Sequence, residues 1–479
     1  MEDFSSLQTL LLTLFSCLIV VIFICVKCLS FDFKNRKNIP PSPRKLPIIG
    51  NFHQLGSSPD LNLQLLSQKY GAIMLLQLGS IPTLVASSAA AAQEIMKTHD
   101  LSFCSRPSLT MANILLYGSK GISFSPYGEY WRQLKSIMVL KLLSNTRVKS
   151  YQKVREDEVG HTIQLLEESC GTIVDMRLVF GSLTNDIICI ASVGRKLDGP
   201  KLTNLLRRFV DMFTKKWLKN SMSFLKKLLK NMKIRKKGED ANSDEAGEDF
   251  VDILIDLQKD KTTGFSLQRD SLKALILEAF SAGTETTQTS LEWALSELIK
   301  NPRVMNKLQK EVTEIAQRRA MISEDDLEKM PYLKAVIKEA LRLHPPLPLL
   351  LPRKSMQDVK VMGYDIRAGT QVIINAWAIG RDPALWRESI EFKPERFLNN
   401  SITYQGMQFD WLPFGAGRRS CPGIQFSLPV IELALANIVY KFDMVLPNGI
   451  RNEDLDMTEA FGITMHKKSP LLVLLGPRF

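Results

Sequence analysis

At 479 residues, with 45% hydrophobic and 23% charged side chains, the chain is too long for a disulfide-stapled miniprotein and too apolar for a disordered one. Its net charge of +12 implies an anionic partner, be it a membrane surface, an acidic protein or nucleic acid. That excess is local, since ten Lys or Arg and no acid lie between Lys215 and Lys237.

From the N-terminus, Leu7 to Val26 is a 20-residue run without a formal charge, able to span about 30 Å as a helix. Glu2 and Asp3 precede it, and Lys27, Lys34, Arg36 and Lys37 come after it, the reverse of a cleaved secretory signal. Residues 1–6 are therefore expected in the lumen, 7–26 as an uncleaved transmembrane signal anchor, and the remainder of the chain in the cytosol. Residues 27–47 are basic and Pro-rich, ending in Pro40-Pro41-Ser42-Pro43-Arg44-Lys45-Leu46-Pro47, a semi-rigid linker. Residues 48–479 then form one large domain. The seven cysteines are scattered, and Cys25-Val26-Lys27-Cys28 has no second pair to complete a zinc site, which indicates a reducing compartment. In such a compartment the sequon Asn399-Asn400-Ser401 goes unused.

The domain reads as mainly α with small β-sheets. Ile73–Gln77 and Thr83–Ala86 are strand-like, separated by Gly79 and Pro82; Val359–Ile366 and Thr370–Ala376 read as a second pair around Ala368-Gly369. Helical periodicity covers Ala89–His99, Glu129–Leu142, Asn145–Ser169, Ser271–Lys300, Pro302–Ala316, Pro331–His344 and Pro422–Phe442. Gly238–Asp249 is small, polar and acidic, a surface loop, and no repeat of fixed period occurs.

The strongest chemical signal is Phe414-Gly415-Ala416-Gly417-Arg418-Arg419-Ser420-Cys421-Pro422-Gly423. Its glycines permit a tight turn and close approach to a flat group. Cys421 is expected as the N-cap of the next helix, with Pro422 at its first position; that placement, close to cations, favours the thiolate. A single thiolate beside two arginines suits haem iron better than zinc, the alternative being an inert cysteine in a turn. A second segment, Ala282-Gly283-Thr284-Glu285-Thr286-Thr287, interrupts a helical pattern with poor helix formers. It is either a loop between two helices or a locally opened helix in which the Thr286 hydroxyl bonds the Ala282 carbonyl. A third, Glu339-Ala340-Leu341-Arg342, is by itself an ordinary i,i+3 ion pair.

Phe414–Gly423 resembles the FxxGxRxCxG haem signature of the cytochrome P-450 superfamily without a mismatch, and Ala282–Thr287 matches that family's (A/G)Gx(D/E)T(T/S) element. Glu339–Arg342 and Pro394-Glu395-Arg396-Phe397 resemble its ExxR and PERF elements, in the right order across the whole globular body. The Pro-rich hinge, Phe103-Cys104-Ser105-Arg106-Pro107 and Leu291-Glu292-Trp293-Ala294 look like the plant endoplasmic-reticulum members of specialised metabolism.

The resemblance implies a cytochrome P-450 fold carrying haem b, with 48–479 as the cytosolic haem-thiolate domain. Cys421 is then the iron ligand, Thr286 and Glu285 deliver protons, and Phe414, Trp131, Lys135, Arg353 and Arg419 bind the cofactor. Lys135 stands where the family usually has arginine, keeping the charge but losing the bidentate fork. Arg132 is expected at the surface. Glu339, Arg342 and Arg396 become a structural triad, and Phe280, Ala282, Leu349 and Phe461 fall in the substrate pocket. With no nicotinamide or flavin fingerprint in the chain, electrons come from a separate NADPH–cytochrome P-450 reductase, steered by Arg132, Lys135 and Arg418.

The implied function is a monooxygenase anchored in the endoplasmic reticulum that uses O2 on a small apolar plant metabolite, such as a terpenoid, phenylpropanoid or coumarin, with no nucleic-acid partner. The same haem could instead perform aldoxime dehydration, ring closure or C–C cleavage. A reading from another class is an anchored, haem-free protein binding polyanions through Lys215–Lys237. Two departures stand out. The chain looks some twenty-odd residues short between Val210 and Phe250, where a basic amphipathic segment suits a membrane surface or a solvated face. Pro429 lies inside the helix after Cys421, where it should remove a backbone hydrogen bond and bend it.

Overall fold

The Ser271–Lys300 pattern is apolar on most faces, and such a helix is stable only when surrounded. In the computed structural model it is the buried axis of the domain, an unbroken 32-residue helix from Arg269 to Lys300 in which Leu291, Trp293, Leu295 and Leu298 are sealed from solvent. The Gly/Ser/Thr-rich middle is thus helical and no loop intervenes; tertiary packing outweighs propensity there. The structure describes residues 11–22, 38–197, 206–207, 249–259 and 267–478, apart from 399, 401, 405 and 407. The expected shortening after Val210, the basic Lys215–Lys237 segment and nearly all of the Gly238–Asp249 loop lie outside the described residues.

The longer helices are α1 (Leu11–Ile22), near the N-terminus, and, within the domain, α2 (Glu129–Ile137), α3 (Gln152–Glu168), α4 (Met176–Val193), α5 (Arg269–Lys300), α6 (Pro302–Ala316), α7 (Pro331–Leu343) and α8 (Ile424–Lys441). Every residue of α1 is exposed. Its expected extension to 7–26 reaches beyond the described residues. Around α5, α4 packs most closely: a Cβ on Gly283 would come within 2.5 Å of the Ile188 side chain. The long patterns are broken more often than periodicity shows. Glu129–Leu142 ends in a π-turn, Met138–Leu142, and the expected Asn145–Ser169 helix divides at Tyr151. Pro429 does lie inside α8, in its second turn.

The strands are β1 (Ile73–Leu78), β2 (Ile81–Ala86), β3 (Ile173–Asp175), β4 (Arg353–Lys354), β5 (Val359–Val361), β6 (Tyr364–Ile366), β7 (Gln371–Ile374), β8 (Phe442–Val445), β9 (Glu459–Ala460), β10 (His466–Lys467) and β11 (Leu472–Pro477). One sheet has the order β1-β2-β7-β4 and another β3-β11-β8; β5–β6 and β9–β10 are separate pairs. The hairpin expected between 359–366 and 370–376 does not form. The first run turns back on itself at Met362-Gly363, and β7 instead joins β2 in parallel, Thr83 opposite Gln371. Alternation reveals a strand but not its partner. Pro82 is tolerated inside β2 because β7 pairs with that strand only from Thr83 onward.

Candidate functional site

Two glycines build the cysteine loop. Gly415 and Gly417 both adopt positive φ, +66° and +68°, and a Cβ on Gly417 would meet the Met96 carbonyl at 2.4 Å and the Asp100 carboxylate at 2.5 Å. The loop closes when the Cys421 N–H donates to the Phe414 carbonyl at 3.0 Å. Helix α8 begins only at Ile424, so Cys421 is not its N-cap; Gly423 is, and its N–H points to the Cys421 sulfur at 3.4 Å. Burial pushes the Cys421 thiol up, while the Gly423 N–H and the Lys135 ammonium pull it down. The expected bias toward thiolate is therefore not met by the protein alone: the sulfur opens onto a cavity, where desolvation outweighs one N–H and one cation.

That cavity holds about 270 Å³. Cys421, Phe414 and Gly415 form one wall, and Ala282, Gly283, Thr286 and Thr287 of α5 form another. The Thr286 hydroxyl donates to the Ala282 carbonyl at 2.6 Å, the i to i−4 bond expected of it, within a helix that stays continuous. Ile188, Leu347, Leu350, Leu351 and Phe426 make the lining mostly apolar. Of the expected pocket residues only Ala282 reaches it. Phe280 is two residues away on α5, about 200° around the helix, and packs into the core. Leu349 packs beneath β1–β2 with Leu63, Met74 and Val85, and Phe461 is half-buried near the β9–β10 turn without lining the cavity.

Among the described residues, four cations border the cavity. Arg353 bonds the Asp100 carboxylate at 3.1 Å and the Ala416 carbonyl at 2.7 Å. Arg419 donates to the carbonyls of Cys104, Ile122 and Ser125, and its guanidinium lies 4.1 Å from the centre of the Trp131 ring. Lys135 turns inward to the Ser420 carbonyl at 3.1 Å, so it belongs to the cavity and not to an outer docking face, whereas Arg132 and Arg418 are about half exposed. Arg106 carried no role in the sequence. It is buried and donates to the carbonyls of Ser123, Leu351 and Pro352. Burial pulls Arg419 down to about 10 and Arg106 well below the ordinary arginine value. Both are held by neutral carbonyls, so an anionic edge placed here would gain strongly. Among the described residues no cluster of three or more His, Cys, Asp or Glu is built to hold a metal ion. A lone thiol, apolar walls and buried guanidiniums fit a metal that arrives on an anionic, largely apolar macrocycle.

Two further acids lie on α5. Glu278, unassigned from sequence, accepts the backbone N–H groups of Ile122 and Ser123 at 2.6 and 3.1 Å, and burial raises it to about 7. Glu285 is 1% exposed but does not line the cavity; its carboxylate lies 3.5 Å from His466 on the far side. Farther out, Glu339 takes both ends of the Arg342 fork at 2.8 Å, the Arg396 Nε at 2.9 Å and the Lys393 N–H.

The family model for cytochrome P450 matches residues 40–474. The cytochrome P450 Tp4149 of Tanacetum parthenium is 56% identical over all of both chains, in an alignment of 506 positions, so it carries residues that this chain lacks. A 3-beta-hydroxylase of the same species is 49% identical, covering 99% of this chain and 100% of that one. The tabersonine/lochnericine 19-hydroxylase of Catharanthus roseus is 45% identical, covering 93% and 94%. A zebra fish cytochrome P450 structure with abiraterone superposes with a TM-score of 0.77 at 26% identity, covering 88% of this chain and 100% of that one. The haem-free polyanion-binding alternative is thereby overturned. By the span of the match and by likeness to relatives along their full length, this chain belongs to the cytochrome P450 family and is a haem-thiolate monooxygenase.

Proposed function

We propose that the enzyme carries haem b on Cys421 and, with electrons from NADPH–cytochrome P-450 reductase, oxidises a small apolar plant metabolite of the terpenoid, phenylpropanoid or coumarin kind. The observation that carries this is the lone Cys421 thiol opening into an apolar cavity that Thr286 also lines and buried cations border. Relatives named as a 3-beta-hydroxylase and a 19-hydroxylase favour hydroxylation over dehydration, ring closure or C–C cleavage.

The haem iron, when bound, supplies dioxygen activation. The chain does the rest. Cys421 is the ligand; Phe414 packs beside it; Trp131, Lys135, Arg353 and Arg419, joined by Arg106, hold the anionic edge. Apolar side chains such as Leu350 and Ile188 exclude water from the reacting position. Thr286 donates its own hydroxyl proton to the Ala282 carbonyl and so turns Oγ1 lone pairs to the cavity, where they would accept from and hold a proton-carrying group, with Glu285 as the proton reservoir. Glu339, Arg342 and Arg396 brace the protein behind the cysteine loop. Arg132 and Arg418 supply an exposed basic face to the reductase. Residues 7–26 anchor the chain in the endoplasmic-reticulum membrane, 1–6 face the lumen, 27–47 form the linker, and 48–479 work in the cytosol.

The test is a reduced, CO-treated absorption spectrum of the purified protein. A red-shifted thiolate-type Soret band is expected, and Cys421→Ala must lose it; a normal band in that variant overturns the ligand assignment. Turnover with reductase across terpenoids, phenylpropanoids, coumarins and oximes should require NADPH and O2. Conversion of an oxime without NADPH would replace oxidation with dehydration.

A further inference from the structure

Among the described residues, Glu278 is the only carboxylate that lines the cavity. A negative charge there would repel an anionic edge, so its presence calls for a physical reason. Both of its oxygens are taken by backbone: Oε2 accepts the Ile122 N–H at 2.6 Å, and Oε1 accepts the Ser123 N–H at 3.1 Å. The carbonyls of the same two residues accept from cations. That of Ile122 takes the Arg419 guanidinium at 3.1 Å and the Trp131 indole at 3.0 Å, and that of Ser123 takes the Arg106 Nε at 2.8 Å.

The peptide group joining Ile122 to Ser123 is therefore bonded at both ends. Its N–H donates to Glu278 and its C=O accepts from Arg419, so each bond polarises the group in favour of the other. Ser123 extends the link to Arg106. A buried carboxylate and two buried guanidiniums thus balance one another without touching. Burial raises Glu278 to about 7, against the pull of the two N–H groups and of Arg419; burial lowers Arg419 and Arg106, against a pull in which Glu278 takes part. The arrangement also explains a glycine. A Cβ on Gly121 would fall on the carboxyl carbon and both oxygens of Glu278, so a larger residue could not let the carboxylate lie against two successive N–H groups.

We propose that Glu278 is the positioning residue for Arg419 and Arg106: from α5 its carboxylate grips the Ile122 and Ser123 amides, and the carbonyls of those residues hold both guanidiniums at the cavity edge. The proposal rests on the reading of Arg419 and Arg106 as holders of the cofactor's anionic edge. Without the carboxylate the segment loses its tie to α5, its carbonyls lose their polarisation, and the cations keep their charge with less to fix them.

The full-length, haem-loaded protein is mixed with excess apomyoglobin near pH 8, where Glu278 is ionised, and haem transfer is followed by absorbance. Glu278→Gln is expected to speed transfer about fivefold, the factor for one net hydrogen bond. It should also raise the haem reduction potential, because a buried negative charge beside the cofactor is gone. Gly121→Ala displaces the carboxylate but keeps its charge, so it should speed transfer with a smaller rise in potential; it also serves where Glu278→Gln fails to retain haem. Arg106→Gln speeds transfer as well, by a smaller factor in the Glu278→Gln background than alone. A further readout needs no haem signal: by hydrogen exchange and mass spectrometry, the peptide containing Ile122 and Ser123 should exchange faster in Glu278→Gln and in Gly121→Ala, with α8 peptides unchanged. Unchanged exchange at that peptide, an unmoved potential in Glu278→Gln, or additive effects of Glu278→Gln and Arg106→Gln would overturn the proposal. If Arg106→Gln and Arg419→Lys leave transfer unchanged, the reading of those arginines as haem holders fails. If they speed it and both Glu278→Gln and Gly121→Ala do not, the role of Glu278 alone is rejected.

Discussion

Arg419 and Trp131 share one acceptor: the guanidinium donates to the Ile122 carbonyl at 3.1 Å, the indole Nε1–H donates to it at 3.0 Å, and the guanidinium stacks over the ring. A positive charge is thereby held at the cavity edge without a carboxylate in direct contact. Lysine can neither span three carbonyls nor stack flat on the ring. Arg419→Lys should therefore leave at least one buried carbonyl among Cys104, Ile122 and Ser125 unbonded, at about 1–3 kcal/mol each, and lower the haem-to-protein ratio of the purified enzyme. Trp131→Phe, which loses one hydrogen bond but keeps a ring, should be milder, by about 1 kcal/mol in a denaturant midpoint.

The Glu339 cluster and the Glu395 pairs differ in burial, and so in energy. Arg342 is fully buried, and Glu339→Ala strands its charge, a loss of about 3–5 kcal/mol that should appear as a large drop in unfolding midpoint. Arg303 is 67% exposed where it meets Glu395, so Arg303→Ala should cost under about 1 kcal/mol. Equal losses in the two variants would refute this ranking.

Thr286→Ala removes the hydroxyl and leaves the helix backbone intact. Folding and the CO spectrum should be unchanged, while product formed per NADPH falls, on the order of 10²-fold if Thr286 carries the proton step. A variant with wild-type product yield would remove Thr286 from proton delivery.

Glu278 provides a pH test. Its folded value of about 7 lies above the 4.5 of an ordinary glutamate, so between those values the folded state holds a proton that the unfolded chain has released. Its contribution is fully present below 4.5 and is lost as pH rises toward 7, which makes stability decline across that window. Glu278→Gln should flatten the decline by up to one proton's slope, about 1.4 kcal/mol per pH unit, in unfolding midpoints measured from pH 4.5 to 7.5. Parallel curves for the two proteins would place the Glu278 titration elsewhere.

Features that depend on neighbours within a turn or two were legible in the chain alone: the Pro302–Ala316 helix, the Thr286 to Ala282 bond, the pairing of Glu339 with Arg342, and the positive-φ glycines around Cys421. Helical spacing or backbone sterics dictate these whatever surrounds them. Contacts between distant segments emerged only on folding: Arg106 reaches Leu351, Glu278 clasps Ile122, β7 leaves its expected partner for β2, and Glu285 turns its back on the cavity toward His466. Folding also turned the Cys421 thiol from one favoured by nearby charge into one burdened by burial. Periodicity and spacing describe a residue's own helix or strand, whereas desolvation and distant partners arise only once separate elements close around one cavity.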